Sequence, residues 1–209
     1  MLVLIFYCLV KKMSDGFNAI GCSNHTKSER AWLDFYATDP VAVDVLVKEC
    51  TDFKLHHKIW ECACGAGHIS EQLKKYGYKV FCTDIVDRGF NDKTFDFLYY
   101  NNNDHLMYDI VTNPPYSHAL EFIQKALSLI EDGYYVVMFL KIQFLEGKKR
   151  KEFFKNNPPK YVYVFSKRVH CATNGLFEEM KEKGGSTICY AWYVWEKGYK
   201  GDTILKWIN

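Results

Sequence analysis

The sequence predicts an α/β fold in which strands and helices alternate about a mostly parallel sheet, with helices on both faces. Three observations carry that prediction. Short apolar runs alternate with segments of helical periodicity. Turn residues follow the strand-like runs and open the helices. One run, 135–140, is apolar without interruption, as expected of a strand covered on both faces.

Taken in order, Asp39-Pro40 opens a helix over 41–48, where the proline suits a first-turn position. Residues 58–61 form a short first strand that breaks at Gly65-Ala66-Gly67, and 69–76 resumes as a helix. A second strand covers 78–83, a third 95–99, and a fourth 108–112, which stops at Asn113-Pro114-Pro115. The segment 119–130 places Leu120, Ile123, Leu127 and Ile130 at helical spacing. After the strand at 135–140, a basic helix over 144–155 ends at Asn156-Asn157-Pro158-Pro159, and strands at 161–165 and 188–195 finish the chain.

The 209 residues, 48% apolar and 25% charged, suit one globular domain, expected over 28–209. The first ten residues are almost wholly apolar and Met13 opens a polar segment, so 1–27 is expected to be a tail, disordered or preceding the native start. That apolar run is half what a bilayer crossing needs, and no membrane partner is expected. A net charge of +2 does not by itself announce nucleic acid, so such a partner must be argued from local chemistry. The eight cysteines are scattered in apolar runs without paired Cys-x-x-Cys clusters; they read as reduced thiols of a cytoplasmic protein, and no metal is expected.

A sheet of this kind binds its ligand beyond the carboxyl ends of its strands, where strand order reverses. The loop after the first strand, Glu61-Cys62-Ala63-Cys64-Gly65-Ala66-Gly67, has glycines that let a ligand approach the backbone, and His68 beside it could meet a ligand carboxylate. Ser70 stands where a dinucleotide fingerprint has its third glycine, which disfavours a nicotinamide or flavin oxidoreductase. Asp84, followed by Ile85, ends the second strand where a carboxylate can accept from ribose hydroxyls.

Asn113-Pro114-Pro115-Tyr116 is the most specific signal, and with it the pattern resembles the amino-methyltransferase family, whose members carry Asp/Asn/Ser-Pro-Pro-Tyr at this strand end. The order of motifs resembles the gamma-type DNA N6-adenine methyltransferases, and more closely the small phage and mobile-element enzymes. The stretches that carry this closer likeness are Phe144-Leu145-Glu146-Gly147, Ser166-Lys167-Arg168-Val169, Asn174-Gly175 and Ala191-Trp192-Tyr193-Val194-Trp195.

The resemblance covers roughly 28–209 and implies a Rossmann-like class I methyltransferase fold, seven-stranded with an antiparallel C-terminal strand. It implies S-adenosylmethionine as cofactor and DNA as partner. It implies that Tyr36, Ala37 and Thr38 contact the methionine part of the cofactor and that Asp96 and Phe97 lie at its adenine. Asn113 and the Pro114 carbonyl would accept the two hydrogens of the adenine amine, Pro115 would stiffen the turn, and Tyr116 would stack on an extruded base. Cys62 departs from the proline of many relatives, and no long C-terminal recognition domain is expected.

DNA contacts are expected from Lys148, Lys149 and Arg150 on the basic helix, with Lys151 and Lys155 nearby. Base readout is expected from the polar insertion 166–187, through Arg168, Asn174 and Lys183. The same acceptor turn would serve an RNA base or a protein glutamine, and a binding module that has lost activity is a third reading.

Overall fold

The computed structural model describes residues 36–102, 105–173, 175, 177 and 187–209, all within a compact unit that begins at Trp32. The segment 1–27, Asn174 and Lys183 lie outside the described residues.

Ten strands and four α-helices are described. The strands are β1 (Tyr36–Thr38), β2 (Lys58–Glu61), β3 (Lys79–Asp84), β4 (Lys93–Thr94), β5 (Asp109–Thr112), β6 (Tyr135–Lys141), β7 (Tyr161–Phe165), β8 (Cys171–Thr173), β9 (Tyr190–Glu196) and β10 (Ile204–Ile208). The helices are α1 (Pro40–Glu49), α2 (His68–Lys75), α3 (Ala119–Leu129) and α4 (Lys148–Asn156). Asp39 caps α1 by accepting from the Val41 amide at 3.0 Å, and Pro40 supplies its first turn.

Eight strands form one sheet in the order β10-β7-β9-β6-β5-β2-β3-β4. Only β9 runs against its neighbours, pairing antiparallel with both β6 and β7. The chain steps outward from β2 through β3 to β4, then returns to lay β5 on the other side of β2. Strand order therefore reverses between β2 and β5, which open side by side on the same rim.

One core face, with Val43, Leu46, Ile69 and Leu73 from α1 and α2, packs on Ile59, Phe139 and Trp192 of the sheet. The other, with Ile123 and Ala126 from α3 and Phe153 from α4, packs on Trp60, Ile110 and Met138. The central strands β6 and β9 are buried almost end to end, which is why their sequences lack alternation. The Trp192 indole donates to the Ala42 carbonyl at 2.8 Å, fixing α1 against β9 without leaving a buried donor unpaired.

Three sequence expectations change. The third strand is Lys93–Thr94, whereas Phe97–Tyr99 is a 3-10 turn capped by Asp96, whose carboxylate accepts from Leu98 at 2.9 Å. Phe95 and Phe97 imitate strand alternation because both pack their rings against Trp60. The antiparallel strand expected over 188–195 is β9, but it is not the last: an eighth strand, β10, follows it and pairs parallel with β7 at the sheet edge. The basic helix begins only at Lys148, after a 3-10 turn over Ile142–Leu145; between them Gly147 takes φ 125°, a conformation that favours glycine.

At the opposite rim Asp109, wholly buried at the start of β5, accepts from the His56 amide at 2.5 Å, the His56 ring at 3.0 Å and the Tyr135 amide at 2.9 Å. It joins the chain entering β2, β5 and β6. Burial pushes the Asp109 carboxyl above its ordinary range, with the bonds from Tyr135 and His56 opposing. Asp109→Ala would leave those donors without their acceptor and is expected to cost ~3 kcal/mol, read as a lower urea midpoint with unchanged slope.

Candidate active site

The motifs gather on the rim where strand order reverses. The glycine loop leaves β2, Asp84 and Ile85 end β3, Asp96 follows β4, and the Asn113 turn leaves β5. Because β2 and β5 are paired in parallel, with Trp60 opposite Ile110, the glycine loop and the Asn113 turn flank one crevice.

A small second sheet bears on this crevice. β1 and β8, far apart in sequence, pair antiparallel with Tyr36 opposite Thr173 and Thr38 opposite Cys171. The pairing brings the Tyr36 carbonyl to the Asn113 amide nitrogen at 2.9 Å, and the buried Cys171 sulfur to the same nitrogen at 3.2 Å. A carbonyl can only accept, so this contact fixes which end of the Asn113 amide faces β1. Its oxygen therefore faces away, and this buried Oδ1 has no hydrogen-bond partner. Thr38 Oγ1 and Thr112 Oγ1 are likewise buried without partners. Unpaired acceptors of this kind are costly and seldom retained without use.

Tyr116 is held as firmly. Its hydroxyl donates to Cys171 at 3.3 Å, and its ring lies 6.1 Å from that of Tyr36 and 6.3 Å from that of Tyr190. Burial pushes the Tyr116 phenol well above its ordinary value, so it stays protonated. Cys171 thus links the two polar side chains of the turn. In the sequence it reads only as one of the scattered reduced thiols, since its role depends on the pairing of β1 with β8 and on no local pattern.

The glycine loop is tied to the acid loop. Asp84 accepts from the Gly65 amide at 2.8 Å, from the Val86 amide at 3.0 Å and from Arg88 at 3.1 Å. Asp84 therefore orders both loops itself, and a ribose would share its carboxylate with those donors. Gly67, at φ 83°, has the Phe90 ring where a Cβ would stand, so this glycine serves loop packing. Ile85 is exposed at the rim. Phe97, expected beside a cofactor, is instead 1% exposed and packs edge-on against Trp60 at 5.1 Å. The His68 ring meets Phe177 at 5.7 Å and abuts Gly175, and burial holds its imidazole below the ordinary value.

Tyr36 is exposed, whereas Ala37 and Thr38 are buried in β1. Pro114 is buried and Pro115 exposed, which leaves the turn rigid at the crevice. Lys148 and Lys149 are exposed on the first turn of α4. Arg150 instead folds back over Phe144 at 4.8 Å and donates to the Gln143 and Glu146 carbonyls, so its guanidinium is engaged in closing its own loop. Arg168 is exposed where the chain leaves β7. Among the described residues no cluster of side chains could hold a metal ion, and no helix is long and apolar enough to cross a membrane. An open cavity of about 440 Å³ lined by Lys58, Lys74, Lys79 and Tyr108 contains none of the motif residues.

No protein-family model and no curated protein matches the chain. Solved structures are similar in fold. A protein of Agrobacterium tumefaciens described as a predicted O-methyltransferase aligns over 81% of this chain and 85% of its own, with a TM-score of 0.56 at 12% identity. A Streptococcus thermophilus protein described as a hemolysin aligns over 75% of this chain and 64% of its own, with a TM-score of 0.51 at 12% identity. A Listeria monocytogenes protein described as a class I S-adenosylmethionine-dependent methyltransferase aligns over 80% of this chain and 62% of its own, with a TM-score of 0.49 at 13% identity. The chain thus spans under two thirds of the last two. The reversal between β2 and β5, with β9 the antiparallel strand, settles the architecture.

The fold is that of the class I methyltransferases. Within this class I fold, Glu61 ends β2 beneath the glycine loop, 2% exposed, accepting a bond from Ser70. Burial pushes its carboxyl from 4.5 up to about 8, against the opposing Ser70 bond. Because the folded value lies above the unfolded one, this group's stabilisation is complete below pH 4.5 and is lost as pH rises through about 8. The loss is on the order of 1 kcal/mol per pH unit across that window. Glu61→Gln keeps the shape and removes the proton, so its unfolding free energy is expected to vary less with pH than that of the wild type, as urea titrations from about pH 5 to about pH 8 would read.

Proposed function

We propose that the protein transfers a methyl group from S-adenosylmethionine to the N6 amino group of adenine in DNA. The observation that carries this reading is Asn113: its amide nitrogen is anchored to Tyr36 at 2.9 Å, while its buried oxygen has no partner, beside the glycine loop on the reversal rim. An acceptor oriented in advance and left unpaired suits a donor that arrives with the substrate.

S-adenosylmethionine supplies a methyl group on a sulfonium sulfur, which departs as a neutral thioether when the acceptor nitrogen takes the methyl group. The residues of this rim fit such a group, because Thr38 Oγ1 and Asn113 Oδ1 are buried and unpaired there and Ile85 offers an exposed apolar face. Asp84 and the Gly65 amide would border its ribose, and Asp96 its adenine.

The chain's own contribution is placement. The lone pair of the adenine amine is delocalised into its ring, so the planar nitrogen is a weak nucleophile. Asn113 Oδ1 and the Pro114 carbonyl would each accept one N6 hydrogen and favour a pyramidal nitrogen whose lone pair is free to react. The two prolines keep these acceptors from relaxing. Cys171, reached by both the Asn113 amide and the Tyr116 hydroxyl, braces the turn, the Tyr116 ring would stack on the base, and the proton left on the methylated nitrogen passes to solvent. The exposed Lys148 and Lys149 would meet DNA phosphates at the same rim, with a strong salt dependence.

Asn113→Ala is expected to lower kcat by about 10²- to 10³-fold while the dissociation constant for S-adenosylmethionine changes by less than about 3-fold. The assay is methyl transfer to an oligonucleotide, with the product base identified by mass spectrometry. Methylated RNA or methylated glutamine peptide alongside unmodified DNA would overturn the DNA reading and move the same geometry to that substrate.

A further inference from the structure

The amino ends of the outer strands hold a second concentration of unused charge. β4 pairs with β3 only at Thr83 and Asp84, so among the described residues no strand covers the outer side of β3 before Thr83. The open cavity of about 440 Å³ lies here, lined by Lys58, Lys74, Lys79 and Asp92 and by the rings of Phe81 and Tyr108.

Lys58 and Lys79 open β2 and β3 and are register partners, so their side chains leave the same face of strands about 4.8 Å apart. Like charges so placed repel each other. The Lys58 ammonium stands over the Tyr108 ring at 5.7 Å, and Lys74, in the last turn of α2, reaches over the Phe90 ring at 5.0 Å. A ring face steadies an ammonium without neutralising it. Among the described residues none of the three lysines is paired with a carboxylate. Asp92, the one acid of the lining, accepts from the Cys82 amide at 2.8 Å. A lysine on a sheet edge also deters strand pairing, but that role accounts for Lys79 alone. Lys58 stands on an interior strand and Lys74 on a helix.

A single carboxylate would balance one of these cations, whereas linked phosphates carry several charges within a few ångströms and match the cluster. The volume is that of a small-molecule pocket, and the Phe81 and Tyr108 rings give it an apolar wall for an organic group. Lys79 and Asp84 stand at opposite ends of β3, roughly 17 Å apart, which separates this cavity from the crevice. We propose that the cavity is an anion site that takes the di- or triphosphate group of a free nucleotide. The proposal depends neither on Asn113 nor on which substrate is methylated.

The test is calorimetric titration of the full chain with inorganic tripolyphosphate, which has no adenosine to enter the crevice, and then with a nucleoside triphosphate. Both are expected to bind, more weakly as salt rises, with the nucleotide tighter than tripolyphosphate. Lys58→Met and Lys79→Met are each expected to weaken binding about 10-fold, Lys79→Arg to restore most of it, and Lys149→Met, outside the cavity, to leave it unchanged. Equal urea midpoints for the variants and the wild type would separate a lost contact from a damaged fold. Three results would overturn the proposal: no binding of either probe, binding that survives both methionine substitutions, or equal affinity for a glutamate oligomer, which marks unselective positive charge. A single-stranded oligonucleotide that binds through Lys58 and Lys79 more tightly than the free nucleotide would also overturn it and assign the lysines to a polynucleotide.

Discussion

Everything at the candidate site depends on the return of the chain across β2. Once β3 and β4 have been laid on one side of that strand, β5 pairs on the other, with Ile59 opposite Asp109 and Trp60 opposite Ile110. Parallel pairing forces the carboxyl ends of both strands onto one rim, so the glycine loop and the Asn113 turn face each other over one crevice. At the opposite rim the buried Asp109 holds the chain entering β2, β5 and β6 by three hydrogen bonds. The register that places the site is thus set at the far end of the sheet from the chemistry.

A second constraint acts on the turn itself. β1 and β8 contribute only three residues each, yet their pairing brings the Tyr36 carbonyl and the Cys171 sulfur to one amide nitrogen. This decides the orientation of Asn113 and leaves a buried oxygen without a partner. Among the described residues the buried side-chain oxygens without a partner, Thr38 Oγ1, Thr112 Oγ1 and Asn113 Oδ1, lie on β1 and at the end of β5, as expected of a site where the missing partner is a ligand. Asp84 shows the opposite economy, for the protein engages its carboxylate with two backbone amides and Arg88.

The sheet was legible in the sequence wherever burial was uniform. Tyr161–Phe165 was readable to the residue because apolar side chains fill it, and Lys58–Glu61 because the apolar pair Ile59-Trp60 runs directly into the glycine loop. The third strand was misread because Phe95 and Phe97 pack on Trp60 from a turn, which local alternation cannot distinguish from a strand. β10 escaped notice because Ile204, Leu205 and Trp207 are exposed at the sheet edge and carry no buried pattern. Of the site, the Asn-Pro-Pro-Tyr turn and the glycine loop were legible as motifs. The contribution of Cys171 was not, since it depends on partners brought close only by the tertiary fold. Phe97 and Arg150 were assigned ligand roles on their positions in motifs, whereas one is a core side chain and the other closes its own loop.

The central claim concerns one oxygen atom, and a crystal structure with S-adenosylhomocysteine and an adenine-containing oligonucleotide examines it directly. The account predicts the cofactor product between the glycine loop and the Asn113 turn, and an adenine N6 within about 3.2 Å of Asn113 Oδ1. A cofactor product seated elsewhere on the molecule, or an Asn113 oxygen bonded to the protein itself, would contradict it.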